Sequence, residues 1–347
     1  MAVDAGACTE RELEEPVVLC APDGRLRADA VGWSRHPMHD CALPRAWGRR
    51  KRWDFWGITG PGCAMNVTVA DVDYLGLADV WFHDFGSGRT FTATFASPLA
   101  RAIDLPDRVP GAPIVVRGGG LDLSIVDDGA GTRLRVSARR KNFDVDLYLH
   151  RPSGHESLSV VIPWTGRRFQ FTNKDVARPA EGTVAWGEST YRFEPDGTSW
   201  GCLDFGRGKW PYRTRWNWGA GAGIVDGPDG PISVGVQIGG KWTDGTGMTE
   251  NALSVDGRLS KLSEDLVWTY SREDWLRPWT IRTPTSDRLS LTFTPIYDKR
   301  SRLSLGVASS SVDQCFGTYS GTVVPDDGRR LDIDGVFGWA EEATWRW

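Results

Sequence analysis

The chain alternates apolar and polar residues with a period of two, and little else in it is periodic. Phe91, Ala93 and Phe95 are interleaved with Thr90, Thr92 and Thr94, and Leu121, Leu123 and Ile125 with Asp122 and Ser124. Phe143, Val145, Leu147 and Leu149 alternate with Asp144, Asp146 and His150, and the pattern returns over Val234–Ile238 and over Leu289, Leu291 and Phe293. Successive side chains of a strand point to opposite faces, so these runs predict half-buried antiparallel strands. Asp128-Gly129, Asp196-Gly197, Asp226-Gly227, Asp256-Gly257 and Asp327-Gly328 punctuate them as hairpin bends. No segment keeps helical spacing over three turns, and residues 271–276 suit a single short turn. The predicted class is all-β.

Two landmarks recur along the 347 residues. Arg52-Trp53-Asp54-Phe55-Trp56-Gly57 is echoed by Arg215-Trp216-Asn217-Trp218-Gly219, and Gly182-Thr183-Val184 by Gly321-Thr322-Val323. A looser third pair is Leu158–Trp164 with Leu289–Tyr297. This organisation predicts an N-terminal extension (1–44) and two tandem β-units, 45–200 and 201–347. Each is expected to be a nearly closed antiparallel barrel or cupped sandwich, which buries its edges better than one open sheet. An eight-stranded barrel has room inside for side chains or for one small ligand.

Charge and motifs exclude several function classes. With 41 basic against 45 acidic side chains, the net charge of −4 gives no support to nucleic acid or an anionic membrane as partner. No apolar run approaches the ~18 residues of a membrane span. The acidic first 16 residues lack the order of a secretory signal, so a cytoplasmic location is expected. The six cysteines form no CxxC pair and are expected to be free, mostly buried thiols. The five histidines form no HxxxH pair, and there is no P-loop or GxSxG elbow. Gly118–Gly120 follows Val115-Val116-Arg117 but opens no helix, which argues against a nucleotide loop. Neither a metal nor a cofactor is expected.

Tryptophan is in excess, 18 against 7 tyrosines. An indole is a large flat apolar face with one donor, suited to lining a cavity, although bulky residues also fill a wide sandwich. The run Leu203–Trp218 carries Asp204, Trp210, Tyr212, Arg213, Trp216 and Asn217; it reads as a ligand pocket or as a linker held by Arg–Trp stacking. Gly239–Asn251 carries Lys241, Trp242, Asp244, Glu250 and Asn251 among glycines after a strand, where binding residues collect. His155-Glu156 precedes the apolar strand ending at Trp164 and is either a turn pair or an acid–base pair. A carboxyl pressed against indoles is desolvated and can act as a general acid near neutral pH. Asp204, Asp244, Glu250 and Glu156 are therefore the candidate acids, and Trp210, Trp216, Trp242 and Tyr212 the candidate walls. Lys241 and Arg213 would hold a polar head group, with Asn217, Asn251 and His155 as further binding residues.

Gly32-Trp33-Ser34-Arg35, Lys51–Trp56, His155-Glu156, Leu203–Trp218, Gly240–Asn251 and Gly338-Trp339-Ala340-Glu341-Glu342 resemble a bacterial domain family of unknown function over nearly the whole chain. More distantly, the two-unit plan and the Gly-Thr-Val, Asp-Gly and Gly-Trp-x-Glu ending are similar to the carotenoid hydratase and hydroxyneurosporene synthase group. Those are lipocalin-related (calycin-type) tandem β-barrels acting on polyenes and isoprenoids, and no catalytic residue transfers position by position. The resemblance implies a hydrophobic or amphipathic small-molecule ligand and cofactor-independent hydration, isomerisation or cyclisation of an alkene. A non-catalytic lipid-binding protein is the first alternative. A carbohydrate-active protein, using Trp platforms and two carboxylates, is the second.

Overall fold

The computed structural model describes residues 8–227, 229–305 and 308–346. Its regular structure is strand, with two single-turn 3-10 segments, and no helix among these residues is long and apolar enough to cross a membrane. The chain forms two compact units: Leu13–Trp210, and residues 211–346 together with residues 8–12. The division falls at Pro211, ten residues beyond the expected boundary, because the strand Trp200–Lys209 pairs with Arg50–Gly60 and Arg168–Trp186 of the first unit. Proline lacks the amide that would continue the ladder.

In the first unit the main antiparallel path runs Thr90–Pro98, Leu75–Asp84, Cys63–Asp71, Arg50–Gly60, Trp200–Lys209, Arg168–Trp186, Phe143–His150, Gly131–Ala138, Leu121–Asp127, Ile114–Gly118. Its two ends approach each other. The Phe95 ring lies so close to Gly118 that a Cβ there would sit 2.3 Å from it, and Lys141 Nζ donates to the Thr92 carbonyl at 2.6 Å. The second unit repeats the order: Arg258–Leu262, Asn251–Val255, Gly230–Gly240, Arg213–Gly227, Leu331–Arg346, Ala308–Val323, Leu289–Leu305, Trp279–Arg282, Val267–Thr269. The fold is all-β, two tandem lipocalin-like units, and the duplication is one of topology.

The Gly-Thr-Val landmark occupies one equivalent place in both units. Gly182 pairs with Leu147 at φ +125°, and Gly321 with Leu291 at φ +137°. A Cβ would meet the Asp146 carbonyl oxygen at 2.1 Å in the first unit and that of Ser290 at 2.2 Å in the second. The third landmark is displaced. Leu289–Leu305 spans what the first unit builds from two strands, Phe143–His150 and Leu158–Thr165, both laid along Arg168–Trp186. Leu158 therefore does not correspond to Leu289, and His155-Glu156 lies in a connection that the second unit replaces by a bulge between Pro295 and Tyr297.

Side chains fill both barrels. In the first, Phe91 stacks on Phe143 at 3.6 Å among Val67, Val80, Phe169 and Phe205. In the second, Trp279 and Phe293 pack with Ile238, Leu253 and Tyr319. Of the two uses read from the tryptophan content, a lined cavity or bulky filling, the packing of these clusters matches the second. A cavity of about 40 Å³ remains at one end of the first barrel, beside Trp56 and Asp54, room for a few waters. All six cysteines are free, and only Cys8 is exposed.

Candidate functional site

The inner face of the second barrel changes chemistry towards one end. Along Arg213–Gly227, Gly219 and Gly221 lie against Tyr319 of the core, and two-residue steps from them lead to Asn217 and Arg215. Along Leu331–Arg346 the same step leads from Ala340 to Glu342. Lys241 follows the last residue of Gly230–Gly240, and Tyr270 follows the short strand Val267–Thr269. Apolar rows thus run out into a polar mouth.

Glu342 organises that mouth. Its Oε2 accepts from Lys241 Nζ at 2.5 Å, Arg215 Nη2 at 3.0 Å and Arg272 Nη2 and Nε at 2.9 and 3.2 Å, and also from the Tyr270 hydroxyl. Its Oε1 accepts from Arg215 Nη2 at 3.1 Å. The Tyr270 oxygen accepts from Lys241 Nζ and from Asn217 Nδ2, the latter at 3.1 Å. The Tyr270 ring stacks on Trp279 at 4.2 Å and on Trp275 at 5.7 Å. Burial and the bond to Glu342 push the Tyr270 hydroxyl pKa well above the usual tyrosine value, and burial lowers that of Lys241. The Glu342 side chain is 9% exposed, whereas those of Arg215 and Arg272 are 40% and 55% exposed, so the site reaches solvent through its arginines.

Beside it, opposite Glu342 and Cys315, stand Asp313 and Asp298. Asp313 takes a two-pronged bond from Arg302 at 2.5 and 2.7 Å. Asp298 accepts from Arg300 through Oδ2 at 2.5 Å, while its Oδ1 is buried without a hydrogen-bond partner. Burial, helped by the charge of Asp313, outweighs the Arg300 bond and raises the Asp298 pKa.

The residues singled out in the sequence are dispersed. Lys241 and Asn217 meet in the mouth. Asp204 and Trp210 meet around Trp53 on the outer face of the first barrel. Asp204 accepts from Trp53 Nε1 at 3.1 Å and Thr172 Oγ1 at 2.8 Å, and lies 3.0 Å from Lys174 Nζ. Trp210 donates to Gln170 at 2.6 Å. His155 bonds Asp175 at 2.7 Å, and Glu156 pairs with Arg35 at 3.2 Å. Trp216 donates to Glu341 at 2.9 Å. Tyr212 and Arg213 are exposed. Asp244 is an exposed turn residue accepting the Lys241 amide at 2.9 Å. Glu250 is buried and accepts the indole N–H of Trp242. Asn251 bonds the backbone, accepting from the Gly239 amide at 2.7 Å and donating to the Glu264 carbonyl at 2.9 Å. Sequence reasoning passed over Tyr270, Arg272 and Asp298, which stand in no motif, and gave no role to Arg215 or Glu342, although both lie in quoted ones.

The repeated Arg-Trp motif has a structural meaning. Trp53 and Trp216 occupy equivalent positions, and each indole donates to a carboxylate two residues before its own cross-strand partner, Asp204 and Glu341. On the inner face Asp54 corresponds to Asn217. Asp54 is bound by the fully buried Arg207 at 2.7 Å, and Arg207 also donates to the Pro106 carbonyl at 2.8 Å, which shuts that end of the first barrel.

No curated protein matches the sequence significantly. Among solved structures, the chain is similar to kievitone hydratase from Nectria haematococca at 10% identity and a TM-score of 0.50, over 89% of this chain and 91% of that one. It is also similar to CghA, at 12% identity and a TM-score of 0.48 over 86% and 88% of the two chains. A protein assigned as AttH from Nitrosomonas europaea shows 14% identity and a TM-score of 0.47 over 94% and 98%. At such identities the likeness is one of fold. The sequence itself matches a family model over residues 10–347, and the chain belongs to that family, DUF2804, a domain of unknown function.

Proposed function

We propose that the second unit binds an amphipathic small molecule at the mouth of its barrel and carries out cofactor-independent acid–base chemistry on it, a hydration or isomerisation of an alkene. The observation that carries this reading is the ring of Lys241, Arg215, Arg272, Tyr270 and Asn217 around Glu342, set directly over the stacked Tyr270, Trp275 and Trp279 rings. Barrel mouths with an apolar floor and a few convergent polar groups are common ligand sites. With the interior filled, the ligand lies shallow, its apolar part along Trp275 and Trp268.

Asp298 is the proton donor this reading names. Of the carboxyls first considered, Asp204 and Glu156 belong to the first unit, Glu250 is buried against the Trp242 indole, and Asp244 holds a turn. Asp298 has an oxygen left over and a raised pKa. Its proton would pass to one alkene carbon, neighbouring indole faces would stabilise the positive charge on the other, and water would add there and return a proton to the carboxylate. A fold shared with a hydratase is compatible with that chemistry. The test is mass spectrometry of small molecules extracted from the purified protein, beside the Lys241→Ala variant. A lipid or terpenoid lost in the variant supports the reading; a sugar, or the same molecule retained by the variant, overturns it. With the recovered ligand in hand, Asp298→Asn should bind it but give no product.

A further inference from the structure

Resting on that reading, we infer that the head group taken by the mouth is an oxyanion, a carboxylate or a phosphate. Charge and lone-pair counts both point there. Three cations, Arg215, Lys241 and Arg272, face the single carboxylate of Glu342. Nearby acids do not make up the difference. Glu341 turns to the opposite face, bonded to Trp216 and Gln314. Asp313 is matched by Arg302, Asp298 by Arg300 and Asp274 by Arg277. Asp244 is exposed and spends one oxygen on a backbone amide. The mouth thus carries an excess of positive charge over a low-dielectric floor, which concentrates anions.

Glu342 Oε2 receives five donor contacts, from Lys241, Arg215, Tyr270 and two nitrogens of Arg272, although an oxygen offers two lone pairs. These bonds compete. Arg215 Nε is buried with no acceptor at all. A second oxyanion beside Glu342 relieves the competition for Oε2, since it can take the outward nitrogens of Arg272 and Arg215 in a fork while Lys241 and Tyr270 stay on Glu342. The half-exposed position of both arginines lets the ligand reach them without opening the barrel.

The full-length protein is titrated with decanoate, decyl phosphate, decanol and decyltrimethylammonium, each below its micelle concentration, following tryptophan fluorescence and heat. Decanoate and decyl phosphate should bind about tenfold or more tighter than decanol, with the ammonium weakest. That advantage should shrink as salt rises. Arg272→Ala should remove most of it, weakening decanoate and decyl phosphate far more than decanol, and Arg272→Lys, which keeps charge but loses the fork, should fall between. Decanol binding as tightly as decanoate, or Arg272→Ala weakening all four ligands alike, overturns the inference and leaves the mouth as a binding site. Failure of all four to bind overturns the reading beneath it as well.

Discussion

Asp175 is almost wholly out of water, between His155 and Arg178, each at 2.7 Å. Burial alone would raise its pKa, but the charge of Arg178 and the bond from His155 outweigh burial and hold it well below the ordinary 3.8. A carboxyl depressed in the folded state contributes stability that is present above its unfolded pKa and lost as pH falls below it. Melting temperature should therefore drop steeply below about pH 4, the ordinary carboxylate range. Asp175→Asn should flatten part of that slope and cost about 3–5 kcal/mol at pH 7 by urea unfolding. Glu342→Gln, which leaves three cations facing a neutral amide, should cost about 2–3 kcal/mol in the same assay. At this scale the sequence was partly legible. His155, Lys241 and Asn217 stand in compact motifs, whereas Asp175 meets Arg178 only across a strand bulge and Tyr270 reaches Glu342 from 72 residues away.

Strands were the most readable elements, since the alternating runs at 90–95, 121–125, 143–150, 234–238 and 289–293 each lie in one of the observed strands. Gly-Thr-Val was readable too, and its cause is backbone geometry rather than packing. Alanine at Gly182 or Gly321 must adopt a positive φ and drive its Cβ into a carbonyl oxygen of the paired strand. Each substitution should cost about 3 kcal/mol or more. Gly129→Ala, at φ +90° with nothing within 4 Å, should cost only about 1 kcal/mol. Equal losses at all three sites by urea midpoint would refute the clash with the paired strand's carbonyl oxygen as the cause. What stayed hidden was alignment: a single long strand in one unit does the work of two in the other, and no local pattern announces that.

For the whole molecule, alternation foretold an all-β chain and cysteine spacing foretold buried free thiols, but neither foretold how its tryptophans are spent. Many serve as core, and Trp53, Trp216 and Trp242 serve as donors to carboxylates. Burial pushes the Cys20 thiol up to about 11 and that of Cys63 to about 12, and it raises Cys41, Cys202 and Cys315 as well. Iodoacetamide at pH 8 should therefore label one thiol, Cys8, in the native protein and all six in urea, counted by intact mass. Residues 8–12 carry a different consequence, because they belong to the second unit although the whole first unit follows them in the chain. Glu10 accepts from the fully buried Lys261 at 2.7 Å and from Thr249 Oγ1 at 2.9 Å. During synthesis this carboxylate leaves the ribosome some 250 residues ahead of its ammonium partner. The later barrel cannot complete its own charge balance until it recaptures a piece of chain made before the whole of the other unit, which makes that segment one of the last to settle.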